Sequence, residues 1–322
     1  MVAQGRVASR FAIELAKYTG LAQGVVTSSG SAAITLALRA LRLPVKGEVI
    51  IPTYVCRSVG DAVVEAGLTP VLCDVGDSWN VTPQSVAPRM SVRTVAIIVP
   101  HVFGIVCDVD AFAHFGVPII EDACQAFGRL NGEAIGARGT AGVFSFNATK
   151  CLTAGEGGYV VSRLPAVMQR MRDLAIGHDL EFSRFFSPMT DIQAALGISQ
   201  LARYDEFLAR RRYLADRYIE ALVGTCVSLP THVRDRNIFF RFPVLVKDVP
   251  FDETRTHFES RGVSVRRGVD ALLHRTVNQP AIDFPIAERL FRDTVSLPLY
   301  PAMTDEEQDI VIAACLAIWS PK

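Results

Sequence analysis

Short apolar segments recur through the first half of the chain at intervals of roughly 20 to 25 residues, a spacing that leaves room for a helix between strands. They are Val49-Ile50-Ile51, Val71-Leu72-Cys73, Val95 to Val99, Val117 to Ile120, Val143 to Phe146 and Tyr159-Val160-Val161. Rich in Val and Ile and not alternating with polar residues, they read as strands buried on both faces. Ala32 to Leu41 and Asp108 to Phe115 lie between them with helical spacing. The pattern predicts a largely parallel sheet with crossover helices, a three-layer α/β arrangement. Such a sheet holds its ligand beyond the carboxyl ends of the strands, so the residues after each apolar run are the candidates for chemistry.

The pattern changes near Thr190. Thr190-Asp191-Ile192-Gln193 has capping-box spacing and opens a long helix, with a break, through Leu201, Leu208, Leu214 and Leu222. The run Arg210-Arg211-Arg212 on it reads as a solvated face rather than a nucleic-acid site. Beyond Gly224 the chain predicts a second, smaller α/β unit: a strand at Phe239 to Val246, a helix at Phe251 to Ser260, a strand at Val263 to Arg266 and a final helix from Thr304. The expected organisation is a large domain over 1–200, then a linking helix and small domain over 201–322.

Composition narrows the function classes. The 322 residues match about two domains at roughly 150 residues each. Lys+Arg and Asp+Glu both number 33, which argues against a chain held to nucleic acid or to an anionic membrane by bulk charge. No run reaches the roughly 18 apolar residues of a spanning helix, and Met1 to Phe11 mixes arginines with polar residues, so the expectation is a soluble cytoplasmic protein. Seven cysteines, an odd number with no CxxC pair, read as reduced core thiols rather than disulfides or a metal site. Only five residues are lysine, against 28 arginines, which makes Lys150 conspicuous in its apolar surroundings.

Three segments carry candidate chemistry. Val117 to Ile120 runs into Glu121-Asp122, an acidic strand end that suits either a helix cap or a cationic ligand atom, with Gln125 facing the same crevice. Val143 to Phe146 leads through Asn147-Ala148-Thr149 to Lys150, followed by Gly155-Glu156-Gly157-Gly158. A desolvated strand-end lysine is free to attack a carbonyl, whereas a lysine with a snorkelling stem is inert. Thr27 to Ala33, small residues before a helix, suits a phosphate held by Gly30 and Ser31, or a simple serine cap. Together the three meet the needs of pyridoxal phosphate: a lysine for its aldehyde, a carboxylate for its ring nitrogen and backbone donors for its phosphate.

In order, Gly30-Ser31-Ala32-Ala33, Pro70 to Asp74, Pro100-His101-Val102-Phe103-Gly104, Glu121 to Ala126, Phe144-Ser145-Phe146 with Lys150, Gly155 to Gly158, Met189 to Ala195 and Leu297-Pro298-Leu299 resemble the landmarks of the DegT/DnrJ/EryC1/StrS sugar aminotransferases. The resemblance implies a fold-type I pyridoxal-phosphate enzyme. It makes Lys150 the Schiff-base lysine and general acid/base, and Asp122 the partner of the ring nitrogen. Gln125 would bond the ring's phenolic oxygen, and Gly30, Ser31 and Ser145 would hold the phosphate. The implied reaction moves an amino group from an amino acid, glutamate in most relatives, to a ketone on a nucleotide-linked sugar, in a homodimer with no metal, nucleic-acid or membrane partner.

The chain also departs from the family pattern. Cys56 stands where relatives stack an aromatic residue on the ring, a place Tyr54 would take if the loop were shifted. Phe186-Ser187-Pro188-Met189 replaces an asparagine-containing stretch, and the N-terminal substrate loop is short. Arg266, Arg267, His178 and His274 are candidate substrate contacts. These departures keep open a homologue that binds the cofactor without turnover. A lyase or dehydratase is the other relative, although eliminating members replace the lysine that is kept here. A nicotinamide enzyme is disfavoured because no GxGxxG follows the first strand.

Overall fold

The computed structural model describes residues 5–177, 187–229, 234–247 and 249–320. In chain order, α1 (Arg6–Thr19), β1 (Val25–Thr27), α2 (Gly30–Ala40), β2 (Glu48–Pro52), α3 (Arg57–Glu65), β3 (Thr69–Cys73), α4 (Pro83–Val86), β4 (Thr94–Pro100) and β5 (Ile119–Asp122) lead to a hairpin of β6 (Arg129–Leu130) and β7 (Glu133–Ala134). Then follow β8 (Ala141–Ser145), β9 (Gly158–Val161), α5 (Pro165–Ile176), α6 (Asp191–Leu201) and α7 (Tyr204–Ala221). The C-terminal part comprises β10 (Val227–Ser228), β11 (Phe242–Val246), α8 (Phe251–Glu259), α9 (Leu273–Thr276), α10 (Pro285–Asp293), β12 (Thr294–Leu297) and α11 (Asp305–Trp319).

Seven strands form one sheet in the order β1-β9-β8-β5-β4-β2-β3. Only β9 runs against the others, so the carboxyl ends of β1, β2, β3, β4, β5 and β8 open on one edge. Every residue of β2, β5, β8 and β9 is buried, as expected of non-alternating runs covered by helices on both faces. The expected strand at Val117 to Ile120 begins two residues later, at Ile119. Asp108 to Phe115 forms a 3-10 helix over Asp110–Phe115 rather than an α-helix, and Gly116, at φ 69°, ends it in the left-handed region.

Helix α6 begins at the predicted capping box: Thr190 and Gln193 bond reciprocally. The helix breaks at Ala202-Arg203 before α7. Helix α1 lies against α6 so closely that a Cβ on Gly197 would stand 2.5 Å from the Phe11 ring. Asp191 fixes the crossing by accepting the Ala8 N–H at 3.0 Å.

The smaller sheet is antiparallel, β10-β11-β12. With α7, α8 and α11 it buries Leu214, Tyr218, Phe242, Phe258, Val311 and Trp319. Two expectations are corrected here. Val263 to Arg266 is not a strand: Arg266 alone bridges to Ser296, and β12 fills the third place in the sheet. Phe239, at φ 56°, turns the backbone sharply, so the strand expected from Phe239 starts at Phe242. The arginine run is not a solvated face either. Arg211 is buried and donates to the carbonyls of Phe239, Phe240 and Leu299 at 3.0–3.1 Å, Arg210 reaches the Met303 carbonyl, and Arg212 reaches the Asn237 carbonyl. Backbone carbonyls left outside the ladder by the turn at Phe239 and by Leu299 need donors, and this run supplies them.

Residues 269–293 return to the large sheet, where Leu272, Leu273, Phe284, Ala287 and Leu290 join the core that holds Ile51, Val63 and Trp79. Asp74, just past β3, caps α10 across this junction by accepting the N–H groups of Ile286 and Ala287 at 2.9 and 2.8 Å. All seven cysteines are free thiols, but the expected core placement fails for Cys56 and Cys226, which are exposed.

Candidate active site

The edge where six strands end carries the first group of predicted residues. Ser29, not Ser31, caps α2, its hydroxyl accepting the Ala32 N–H at 3.1 Å. Gly30 and Ser31 therefore lie in the first helical turn, whose N–H groups and dipole favour an anion. A Cβ on Gly30 would lie 2.8 Å from the Ser145 Cβ and 3.2 Å from the Cys124 sulfur, so three segments meet there only because residue 30 is glycine. The Gly155 to Gly158 turn serves the same close approach. A Cβ on Gly158 would sit 2.2 Å from the Ser29 carbonyl.

Glu121 and Asp122 take opposite roles. Glu121 accepts the N–H groups of Gly136, Arg138 and Gly139 at 2.7–3.0 Å and bonds His101 Nε2 at 3.0 Å. Burial pushes its carboxyl up, but the His101 bond and the backbone donors outweigh burial and hold it below the ordinary range. Because His101 Nδ1 accepts the Cys107 N–H at 3.1 Å, the network assigns the proton to Nε2. Asp122 is buried at the crevice edge and accepts the Cys124 N–H at 3.0 Å. Gln125 is oriented by the Phe103 N–H, which its side-chain oxygen accepts at 2.7 Å.

Lys150 follows a turn built by Asn147, whose side chain accepts the Thr149 N–H at 3.0 Å and whose carbonyl accepts the Lys150 N–H at 2.9 Å. Its Nζ rests 4.9 Å from the centre of the Phe240 ring. The Cys124 thiol is pushed well up, first by burial and then by the Asp122 charge, while Lys150 pulls it down. Asp122, Lys150 and the Gly30–Ser145 contact thus converge on Cys124. Cys56, the first flanking residue of α3, is exposed and also acts on this thiol.

A cleft of about 1110 Å³ opens from Lys150 between α7 and the smaller sheet, with Phe240, Arg241 and Arg266 on its walls. Arg266 therefore lies where expected, but three other expected substrate contacts do not. Tyr54 is fully buried against Phe103, beneath Gly268, and burial raises its phenol far above the usual range. Arg267 turns away, donating to the Phe291 carbonyl and packing on Phe251 and Phe291. His274 is fully buried, bonded to Thr53 and Glu288 and stacked on Phe284, so it ties α9 and α10 to the large sheet. His178 and Phe186 lie outside the described residues. Cys124, Phe240 and Arg241 were not singled out from sequence. Cys124 alone had a signal, lying between Asp122 and Gln125.

An acidic strand end and a lysine that both act on Cys124, beside an anion cradle, fit pyridoxal phosphate. The Gly30 cradle, which any Cβ would fill, is the observation that decides the fit. The fold is that of a fold-type I, pyridoxal-phosphate-dependent aminotransferase. The chain belongs to the DegT/DnrJ/EryC1/StrS aminotransferase family, whose profile matches residues 1–316.

It is 30% identical to the UDP-N-acetyl-3-dehydro-alpha-D-glucosamine 3-aminotransferase of Acidithiobacillus ferrooxidans, over 91% of this chain and 84% of that one. It is 28% identical to the GDP-perosamine synthase of Vibrio cholerae, over 94% and 88%. Among solved structures, S. venezuelae DesV covers 98% of this chain and 89% of its own at 30% identity, with a TM-score of 0.90. DesI, solved in the presence of its TDP-sugar product, covers 98% of this chain and 86% of its own at 28% identity, with a TM-score of 0.88.

Proposed function

We propose that the protein transfers an amino group from glutamate to a ketone on a nucleotide-linked sugar, as a homodimer. Lys150 serves as the covalent lysine and Asp122 as the ring-nitrogen partner. Supporting the residue roles is one observation: the Gly30–Ser145 cradle lies against half-buried Cys124, on whose thiol Asp122 and Lys150 act with opposite sign. The acceptor class rests on relatives named for UDP- and GDP-linked sugars and on the TDP-sugar product of DesI.

When bound, pyridoxal phosphate supplies an aldehyde and an electron-accepting ring. Gly30 and Ser31 N–H groups, with the Ser145 hydroxyl, would hold the phosphate at the positive end of α2. The Asp122 carboxylate would keep the ring nitrogen protonated. Gln125, its oxygen accepting the Phe103 N–H, would have its amide N–H₂ left for the phenolic oxygen. The Lys150 amine would take a proton from the donor carbon in the first half and give a proton to the acceptor carbon in the second.

The visible spectrum tests this reading. The loaded protein should absorb near the band of a lysine-linked cofactor and lose that band on addition of glutamate. Lys150→Ala should abolish the lysine-linked band and slow transfer by about 10³-fold, within the range expected for loss of an acid/base residue. A band unchanged in Lys150→Ala would sink the lysine assignment. Colour that no amino acid discharges would favour a cofactor-binding homologue without turnover.

A further inference from the structure

Among the described residues, six arginines line the cleft that starts at Lys150. Four are committed to the protein itself. Arg203 pairs with Glu206, Arg210 with Asp305, Arg211 with three backbone carbonyls, and Arg261 with the His257 carbonyl and the Ser260 hydroxyl. Arg241 and Arg266 bond no carboxylate among the described residues. Arg241 is half-buried and donates once, to the Gly268 carbonyl at 3.2 Å. Arg266 is fixed through its backbone, which exchanges both hydrogen bonds with Ser296 at 3.3 and 2.7 Å, while its side chain is exposed.

Arg241 is held below the ordinary arginine range, first by burial and then by the Arg266 charge, with Asp270 the carboxylate acting the other way. Like charges placed together at a half-buried site without a bonded counterion are unfavourable unless an anion completes them. Their position identifies where that anion would lie. Phe240 has Lys150 Nζ 4.9 Å and Arg241 Cζ 5.6 Å from its ring centre, so Arg241 and the reacting amine pack on one aromatic ring, with Arg266 on the wall of the same cleft.

We propose that Arg241 and Arg266 form an anion clamp beside Lys150 that takes a carboxylate or phosphate oxyanion of the substrate. The proposal rests on the function proposed above and goes past it by naming the residues that hold the substrate's charge. Guanidinium forks suit both anions, because two parallel N–H donors match two oxygens. Two sources offer this chemistry: the carboxylates of the amino donor and the diphosphate of a nucleotide-linked acceptor.

The test is calorimetric binding of glutarate and of inorganic diphosphate to the cofactor-loaded parent protein, Arg241→Gln, Arg266→Gln and Arg241→Lys, with the visible band recorded alongside. The clamp predicts that at least one probe loses tenfold or more in affinity in both glutamine variants, with partial recovery in Arg241→Lys and the band retained. Loss for glutarate assigns the clamp to the donor, and loss for diphosphate assigns it to the acceptor. Unchanged affinity for both probes in Arg266→Gln, an exposed position where folding is not at risk, would overturn the clamp and leave the proposed function standing. Failure of the parent to bind either probe would overturn it as well. A parent that binds the probes but shows no lysine-linked band would instead remove the functional reading.

Discussion

One peptide bond separates Glu121 from Asp122, and the pleat of β5 sends their carboxylates to opposite faces. Glu121 is wrapped by three backbone donors and His101, and Asp122 faces the crevice. Substitution should separate their work. Asp122→Asn is expected to leave thermal stability nearly unchanged while slowing transfer by about 10²-fold or more, as loss of charge stabilisation does. Glu121→Gln should instead cost on the order of 1–3 kcal/mol, since it weakens bonds to buried donors. Glu121 has a folded-state pKa below its ordinary 4.5, so its contribution is present above that value and lost as pH falls through the folded-state pKa. The stability difference between parent and Glu121→Gln, followed by denaturant titration, should therefore narrow as pH drops below about 4.5. Sequence reveals that an acidic pair ends a strand. It does not reveal which member faces the ligand, because that depends on the register of β5 between β4 and β8.

At the scale of elements, local chemistry visible in the sequence set several boundaries. Thr190 and Gln193 open α6, and Thr304 caps α11 with Glu307 in the same way. The α10 start had no such signal, because its cap comes from Asp74, more than 200 residues earlier. Asp74→Ala leaves two N–H groups of α10 without their acceptor, and a loss of about 0.5–2 kcal/mol is expected. Thermal unfolding of the variant checks this, and a loss within error would show that solvent replaces the carboxylate. The misplaced substrate contacts have a similar origin. Arg267 and His274 neighbour Arg266 in sequence or follow it closely, but the backbone bridge at Arg266 and the turn toward the large sheet carry them away from the cleft. Tyr54 follows β2 directly and is covered when Gly268 closes over it. Each error arose from a long-range contact, which spacing along the chain does not encode.

For the whole molecule, the apolar runs sufficed to predict a mostly parallel sheet with helices on both faces, and the strand ends sufficed to locate Lys150, Asp122 and Gly30 on one edge. What pattern missed was the edge strand β1, three residues long, and the crossing back of residues 269–293. Those residues are too few and too irregular to register as a separate unit, yet Leu272, Leu273, Phe284, Ala287 and Leu290 complete the core of the large sheet. That arrangement bears on how the chain is made. Synthesis proceeds from the N-terminus and domains tend to fold as they emerge. Here the largest core lacks part of its filling until Leu290 has left the ribosome. The cofactor-bearing half must therefore stay incompletely packed until that residue emerges, and a nascent chain released before that point would expose an apolar seam to chaperones and proteases.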